Sequence, residues 1–270
     1  SGAGYQYEDS VIYGFSHTCK GHWNLLHVPM LPVTGAVTAT DYSSTYSHGN
    51  ESARPGYYQV FLNRYNINAE LTSTLRCAFH KYTFQKEDEK TLLVNVKRSN
   101  NNVREWDIQK VDNHTFTGMQ DGGGKIYYYA ISNYPIDNIE QVKEDERNEV
   151  ALVKFDNSKG SKPLEIKIGF SFVSVQNAKM NLAAEMQDKS FAQVQNEADA
   201  TWEKLLGKIS VEGGTEREKG LFYSCLYRSF LWPALRSDVN YEYTDERGQV
   251  VNNNFHKYTD PSFWDDYRNK

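Results

Sequence analysis

The side chains best suited to chemistry in this 270-residue sequence fall in its closing stretch, "YTDPSFWDDYRNK". A tryptophan, two carboxylates and an arginine are packed into Trp264-Asp265-Asp266-Tyr267-Arg268. Neighbouring residues on a strand or helix point apart, so Asp265 and Asp266 are not expected to flank one bond as an acid–base pair, and at most one faces a site. The competing reading is a buried tryptophan beside a structural Asp–Arg pair. A second stretch, "SHTCKGHWNLLH", repeats histidine every five residues at His17, His22 and His27. Zinc-binding histidines share a face at i and i+4 on a helix, or at even spacings on a strand, and a spacing of five does neither. His22 beside Trp23 suits a sugar better, because an imidazole can bond a hydroxyl while an indole stacks on the C–H face of the ring. A plain loop on a sheet edge is the alternative.

Other signals are weaker. "FTGMQDGGGKIYYY" approaches a phosphate loop, but Met119 stands where the first glycine is required and Ile126 follows the lysine where Ser or Thr is needed. Between tyrosine-rich strands it reads as a hairpin turn. Asn50-Glu51-Ser52 and Asn113-His114-Thr115 are glycosylation sequons whose weight depends on a eukaryotic secretory context. Cys19, Cys77 and Cys225 are odd in number and far apart, which is neither a disulfide framework nor a metal site. No metal ligand is assigned in this sequence.

The elements that must position these residues are of two kinds. From about Tyr57 to Val175 the period is two. In "LEIKIGFSF", Leu164, Ile166, Ile168, Phe170 and Phe172 face one way and Glu165, Lys167 and Ser171 the other. Further strands are read in "YYQVFLNRY", "TLRCAFHKYTF", "TLLVNVKRS" and "KIYYYAIS", and many short strands between turn clusters predict a β-sandwich. Between Asn181 and Ile209 the apolar residues Val194, Ala198, Trp202, Leu205 and Leu206 recur at spacings of three and four, predicting an amphipathic helix. Thr215-Glu216-Arg217-Glu218 has capping-box form and opens another helix, which Pro233 ends. The expected organisation is a sandwich over 1–176, linker helices over 177–213 and the start of a helical domain over 214–270. One helix and a loop cannot bury a core of their own, so the closing residues are expected to belong to a domain that is mostly absent, and "SGAGYQYEDS" reads as the middle of a domain.

Composition removes several classes. Charged residues are 24% and hydrophobic ones 39%, as in ordinary globular proteins. A net charge of −5 leaves no footprint for nucleic acid or an anionic membrane. No apolar run approaches the ~18 residues of a membrane span. Aromatics reach 14%, with 19 tyrosines, a composition that suits sheets and sugar-binding surfaces alike.

Taken in order, "YQYEDSVIYGFSHTCKGHWN", "RPGYYQV", "WEKLLGKISVEGGTEREKGLFYSCLYRSFLWP" and "YTDPSFWDDYRNK" resemble glycoside hydrolase family 92, the exo-acting α-mannosidases. The resemblance implies a mainly β chain with a helical C-terminal part: a β-sandwich, then linker helices, then the start of an (α/α)6 barrel. It implies calcium-dependent hydrolysis of terminal α-linked mannose with inversion, in an exported bacterial protein. The acid, the base and most Ca²⁺ ligands would lie beyond this chain, which would then be inactive alone. Carried over residue by residue, Trp264 and Asp265 match the pair lining the terminal-mannose pocket. Gly4, with Tyr5, matches a loop whose backbone approaches the same sugar. His22 and Trp23 fall in a sandwich loop that reaches toward the leaving sugar. "CKGHWN" departs from the common family pattern there, so the usual α-1,2 specificity and other linkages, or a charged acceptor opposite Lys20, all stay open. A non-catalytic carbohydrate-binding module or a degenerate member is the rival reading, and the oligomeric state is not implied.

Overall fold

The computed structural model of the chain describes residues 6–17, 26–85, 89–99, 101–160, 162–231 and 233–259. Sixteen strands and three α-helices form among them. The N-terminal part supplies β1 (Val11–Ile12), β2 (Met30–Val33), β3 (Ser44–Thr45), β4 (Glu51–Arg54) and β5 (Tyr57–Leu62). The middle supplies β6 (Ile67–Ser73), β7 (Cys77–Phe84), β8 (Thr91–Val94), β9 (Glu105–Lys110), β10 (Thr115–Asp121) and β11 (Lys125–Ser132). β12 (Ile136–Lys143), β13 (Glu149–Phe155) and β14 (Leu164–Ser171) complete the sheets. The helices are α1 (Val175–Glu185), α2 (Phe191–Leu206) and α3 (Glu216–Phe230), and a small hairpin of β15 (Glu242–Thr244) and β16 (Val250–Asn252) follows.

Two antiparallel sheets face each other, as the period-two reading predicts. The larger has the order β4-β5-β6-β7-β14-β11-β10-β9 and the smaller β12-β13-β8-β2. Their facing sides bury Val60, Leu62, Tyr82, Phe116, Ile126 and Ile166 against Met30, Leu31, Leu92, Leu93 and Val153 in one continuous core. Leu164, Ile166 and Ile168 are fully buried on the expected face of β14. The "DGGGK" stretch is the turn between β10 and β11, with Asp121 opposite Lys125, and no phosphate loop.

The other face of the large sheet carries the helices. Cys77 and Phe79 of β7 pack with Leu182 of α1, Met186 just after it, and Phe191 and Val194 of α2 in a second core. At Gly169 of β14 a side chain would overlap the Ala178 carbonyl oxygen, so glycine permits α1 to lie directly on the sheet. The stretch read as one helix from Asn181 to Ile209 is two. α1 stops at Met186, and Ser190 opens α2 with a capping box closed by Gln193. The apolar residues named for that stretch, Val194 to Leu206, all fall in α2, and the capping box at Ser190 sets where it begins. α3 opens with the predicted box: the Glu218 amide donates to Thr215 Oγ1 at 3.2 Å and the Thr215 amide to Glu218 Oε2 at 2.7 Å.

Candidate functional site

One edge of the sandwich is crossed by a strap, residues 6–17, that leads into the segment containing His22 and Trp23. The strap is tied at intervals. β1 pairs with β3, and Phe15 and Met30 exchange backbone hydrogen bonds at 2.8 and 3.1 Å. The His17 amide donates to the His27 carbonyl at 3.2 Å, so the residues either side of 18–25 meet at a closed base. Between the strap and β4, β5 and β6 lies an open cavity of about 1010 Å³, whose walls include Tyr7, Tyr13, Ser16, Leu26, Glu51 and Tyr58.

Two histidines near this cavity have their protonation biased in opposite directions by their surroundings. His48 Nδ1 lies 2.7 Å from Glu51 Oε2, and Nε2 lies 2.7 Å from the Tyr7 carbonyl oxygen. Both partners can only accept, so both ring nitrogens carry protons and the ring is a cation. The hydrogen bond to Glu51 accordingly raises its pKa above the ordinary value. The Tyr7 ring stacks on it at 4.1 Å with 5° between planes, and Tyr58 donates to the other oxygen of Glu51 at 2.7 Å.

His17 is the reverse case. Its Nδ1 donates to the Val28 carbonyl at 2.8 Å, and its Nε2 meets His80 Nε2 at 3.0 Å. His80 Nδ1 in turn meets the Tyr82 hydroxyl at 2.6 Å. The Val28 carbonyl must accept, which leaves His17 Nε2 bare; His80 Nε2–H donates to it, and Tyr82 O–H donates to His80 Nδ1. This order leaves both rings neutral, the form that burial favours. Burial pushes the His17 pKa down to about 4 and that of His80 well below the ordinary value. The rings stack at 4.8 Å, and His17 also leans on Phe170 at 4.9 Å.

The far side of the base is strained. Leu26 and Val28 have φ of 63° and 47°, left-handed values that a β-branched residue resists. Two groups hold the conformation: buried Gln120 Oε1 accepts from the Val28 amide at 2.8 Å, and half-buried His17 donates to the Val28 carbonyl. Gln120 is itself fixed, its Nε2 donating to the Val96 carbonyl at 3.1 Å. Such over-determination lets a loop base keep an unfavourable backbone.

A third polar cluster joins sandwich, α1 and the segment after α3. The buried Asp238 carboxylate accepts from Ser171 Oγ at 2.7 Å, Asn177 Nδ2 at 2.8 Å and Asn181 Nδ2 at 2.6 Å. Burial raises its pKa despite these donors. Arg76 pairs with Glu185 at 2.7 Å and donates to the Ser237 carbonyl at 2.8 Å. Residues 237–238, on the way toward Trp264, are therefore docked on the end of β14, on α1 and on Arg76 just before β7.

The five residues singled out in the sequence, Gly4, His22, Trp23, Trp264 and Asp265, all lie outside the described residues, as does Lys20. What is described is their setting: the strap after Gly4, the base of 18–25 and the docked segment that precedes Trp264. His80, Tyr82, Gln120 and Asp238 were missed. Nothing local marks them, since each acts on a partner at least 57 residues away or through one that is.

Comparison with known proteins now decides the family. Residues 1–171 match the glycosyl hydrolase family 92 N-terminal domain, and residues 177–270 match the glycosyl hydrolase family 92 catalytic domain. The chain belongs to glycosyl hydrolase family 92. Among solved family 92 structures, it is 25% identical to the α-mannosidase BT3965 from Bacteroides thetaiotaomicron, with a TM-score of 0.88 over 99% of this chain and 40% of that one. A second structure of BT3965, in complex with mannoimidazole, gives 25% and 0.87. The inverting mannosidase BT2199 from Bacteroides thetaiotaomicron VPI-5482 shares the fold at 24% identity and a TM-score of 0.79, over 98% of this chain and 38% of that one. The chain thus spans about 40% of the length of these family 92 relatives. No curated protein sequence matches it. The sandwich-then-helices architecture expected of family 92 is the one observed.

Proposed function

We propose that this chain is the sandwich and first helical portion of an exo-acting α-mannosidase that removes terminal α-linked mannose from glycans with inversion. The observation that carries the reading is coverage by both family 92 domains in order, together with the fold shared with BT3965. In an inverting glycosidase a carboxylic acid protonates the leaving oxygen while a carboxylate activates water on the opposite face, the two about 6.5–9.5 Å apart. Both groups are assigned to the rest of the protein, so the chain by itself is expected to be inactive.

This chain's share is positioning. Trp264 packs against the terminal mannose and Asp265 accepts hydrogen bonds from two adjacent hydroxyls of it, while the Gly4 backbone lies against the same sugar. His22 and Trp23 meet the leaving sugar, and "CKGHWN" sets the preferred linkage. Calcium, as a hard oxygen-ligated cation, would bind sugar hydroxyls and favour a distorted ring. Among the described residues no three or more His, Cys, Asp or Glu side chains lie together as a metal site, so no described residue is assigned to it. Export from a bacterial cell is part of the reading, and no described helix is long and apolar enough to cross a membrane.

The test is release of free mannose from α-linked mannobioses by the full-length polypeptide, with calcium and with EDTA. Release that EDTA abolishes, and that Asp265→Asn lowers by roughly a hundredfold or more, is the expected result. No release from any linkage would overturn the enzymatic reading in favour of a sugar-binding or degenerate member.

A further inference from the structure

The geometry points to a second carbohydrate site in the cavity beneath the strap, one that binds the glycan arm beyond the leaving sugar. This rests on the mannosidase reading above. At about 1010 Å³ the cavity is at the upper end of the ~300–1,000 Å³ typical of small-molecule sites, more than one hexose unit needs. Ser16 and Leu26, described residues on either side of 18–25, both line it, so the cavity reaches the base of the segment that carries His22 and Trp23 in the sequence.

Two aromatic faces present themselves there. Tyr7 is 68% exposed, yet its ring is fixed from behind by the His48 cation, which also holds the Tyr7 carbonyl. An exposed aromatic ring clamped in this way has little rotamer entropy left to lose, as a stacking platform requires. Tyr13 is 44% exposed, and the Arg98 guanidinium lies 4.4 Å from its ring centroid. Arg98 makes no ion pair among the described residues, so its donors remain for a ligand. Glu8 and Asp9 add carboxylate acceptors along the same wall. Rings that stack on C–H faces, a planar donor fork and acidic acceptors are what a neutral, hydroxyl-rich chain demands. The occupant is an oligosaccharide of linked hexoses, not a single sugar.

The experiment compares kcat/KM of the full-length enzyme for a linear α-mannotetraose and for the α-mannobiose of the same terminal linkage. Wild type is expected to favour the tetraose by about tenfold, and Tyr13→Ala, Tyr7→Ala and Arg98→Ala each to lower that ratio severalfold. Tyr13→Phe, which keeps the ring, should retain it. A wild-type ratio near one, or a ratio that none of the three variants changes, would overturn the proposal and leave the cavity to the chain's own residues. If wild type cleaves neither compound, the mannosidase reading fails separately. Calorimetric binding of the intact tetraose then decides the site: weakening of about tenfold in Tyr13→Ala supports it, and no binding or equal binding overturns it.

Discussion

Lowering the pH from 7 to 4.5 should destabilise the wild-type protein by about 2 kcal/mol more than a variant carrying both His17→Gln and His80→Gln. The magnitude comes from the neutral imidazole pair. In the fold His17 has a pKa near 4, against 6.5 for the unfolded chain. Because the folded value is the lower one, the unfolded state takes up the proton first. Stability from keeping the ring neutral is complete above about pH 6.5 and falls as the pH drops toward 4. For one group shifted this far the loss at pH 4.5 integrates to about 2.5 kcal/mol, and the partial exposure of His17 reduces it to about 2. His80 is displaced in the same direction, so about 2 kcal/mol is the minimum expected for the pair. The carboxylates titrate equally in both proteins and cancel in the comparison. Urea unfolding followed by tryptophan fluorescence at the two pH values is the assay. With a slope of roughly 2–3 kcal/mol/M, the wild-type midpoint should fall by about 0.7–1 M more than that of the variant. Equal falls would mean that the pair is not held neutral, and the hydrogen-bond order from Val28 through Tyr82 would be wrong.

Other substitutions probe the remaining clusters. Asp238→Asn turns one amide N–H₂ toward groups that already donate, Ser171 and Asn177 on one oxygen or Asn181 on the other, and should cost about 2–4 kcal/mol in chemical denaturation. Gly169→Ala forces α1 off β14 and should cost about 1–3 kcal/mol, read from the same curves. His48 should titrate above 6.5 by NMR with both ring nitrogens protonated below that value. Its contribution to holding Tyr7 is present below pH 6.5 and is lost as the pH rises through the elevated pKa; Glu51→Gln should return the titration toward 6.5.

Much of the fold was legible in the residues because its information is local. Alternation in "LEIKIGFSF" marks a core face wherever that strand pairs, and Thr215 with Glu218 caps a helix whatever that helix packs on. The break between α1 and α2 is encoded by Ser190 and Gln193, but the apolar period from Val194 to Leu206 marks only α2 and does not show where the preceding helix stops. The candidate site was less legible. Trp264, Asp265, His22 and Trp23 stood out by composition, whereas the framework around them did not. A histidine's protonation is not a property of its neighbours in sequence: Glu51 and the Tyr7 carbonyl both accept from His48 and raise its pKa, whereas burial beside His80 lowers that of His17.

What the sequence determined by itself is therefore the kind of structure, strands to about residue 175 and helices beginning after it, together with the family resemblance borne by ordered motifs. What only the tertiary structure decided is the register of the two sheets and the meeting of His17 with His80. It also decided the docking of Asp238 on α1 and the room beneath the strap. The division follows from the range of the forces. Backbone propensity and side-chain alternation act over a few residues and can be read along the chain. Burial, proton order and cavity shape depend on groups brought together from distant positions, and exist only once the sheets have closed over their core.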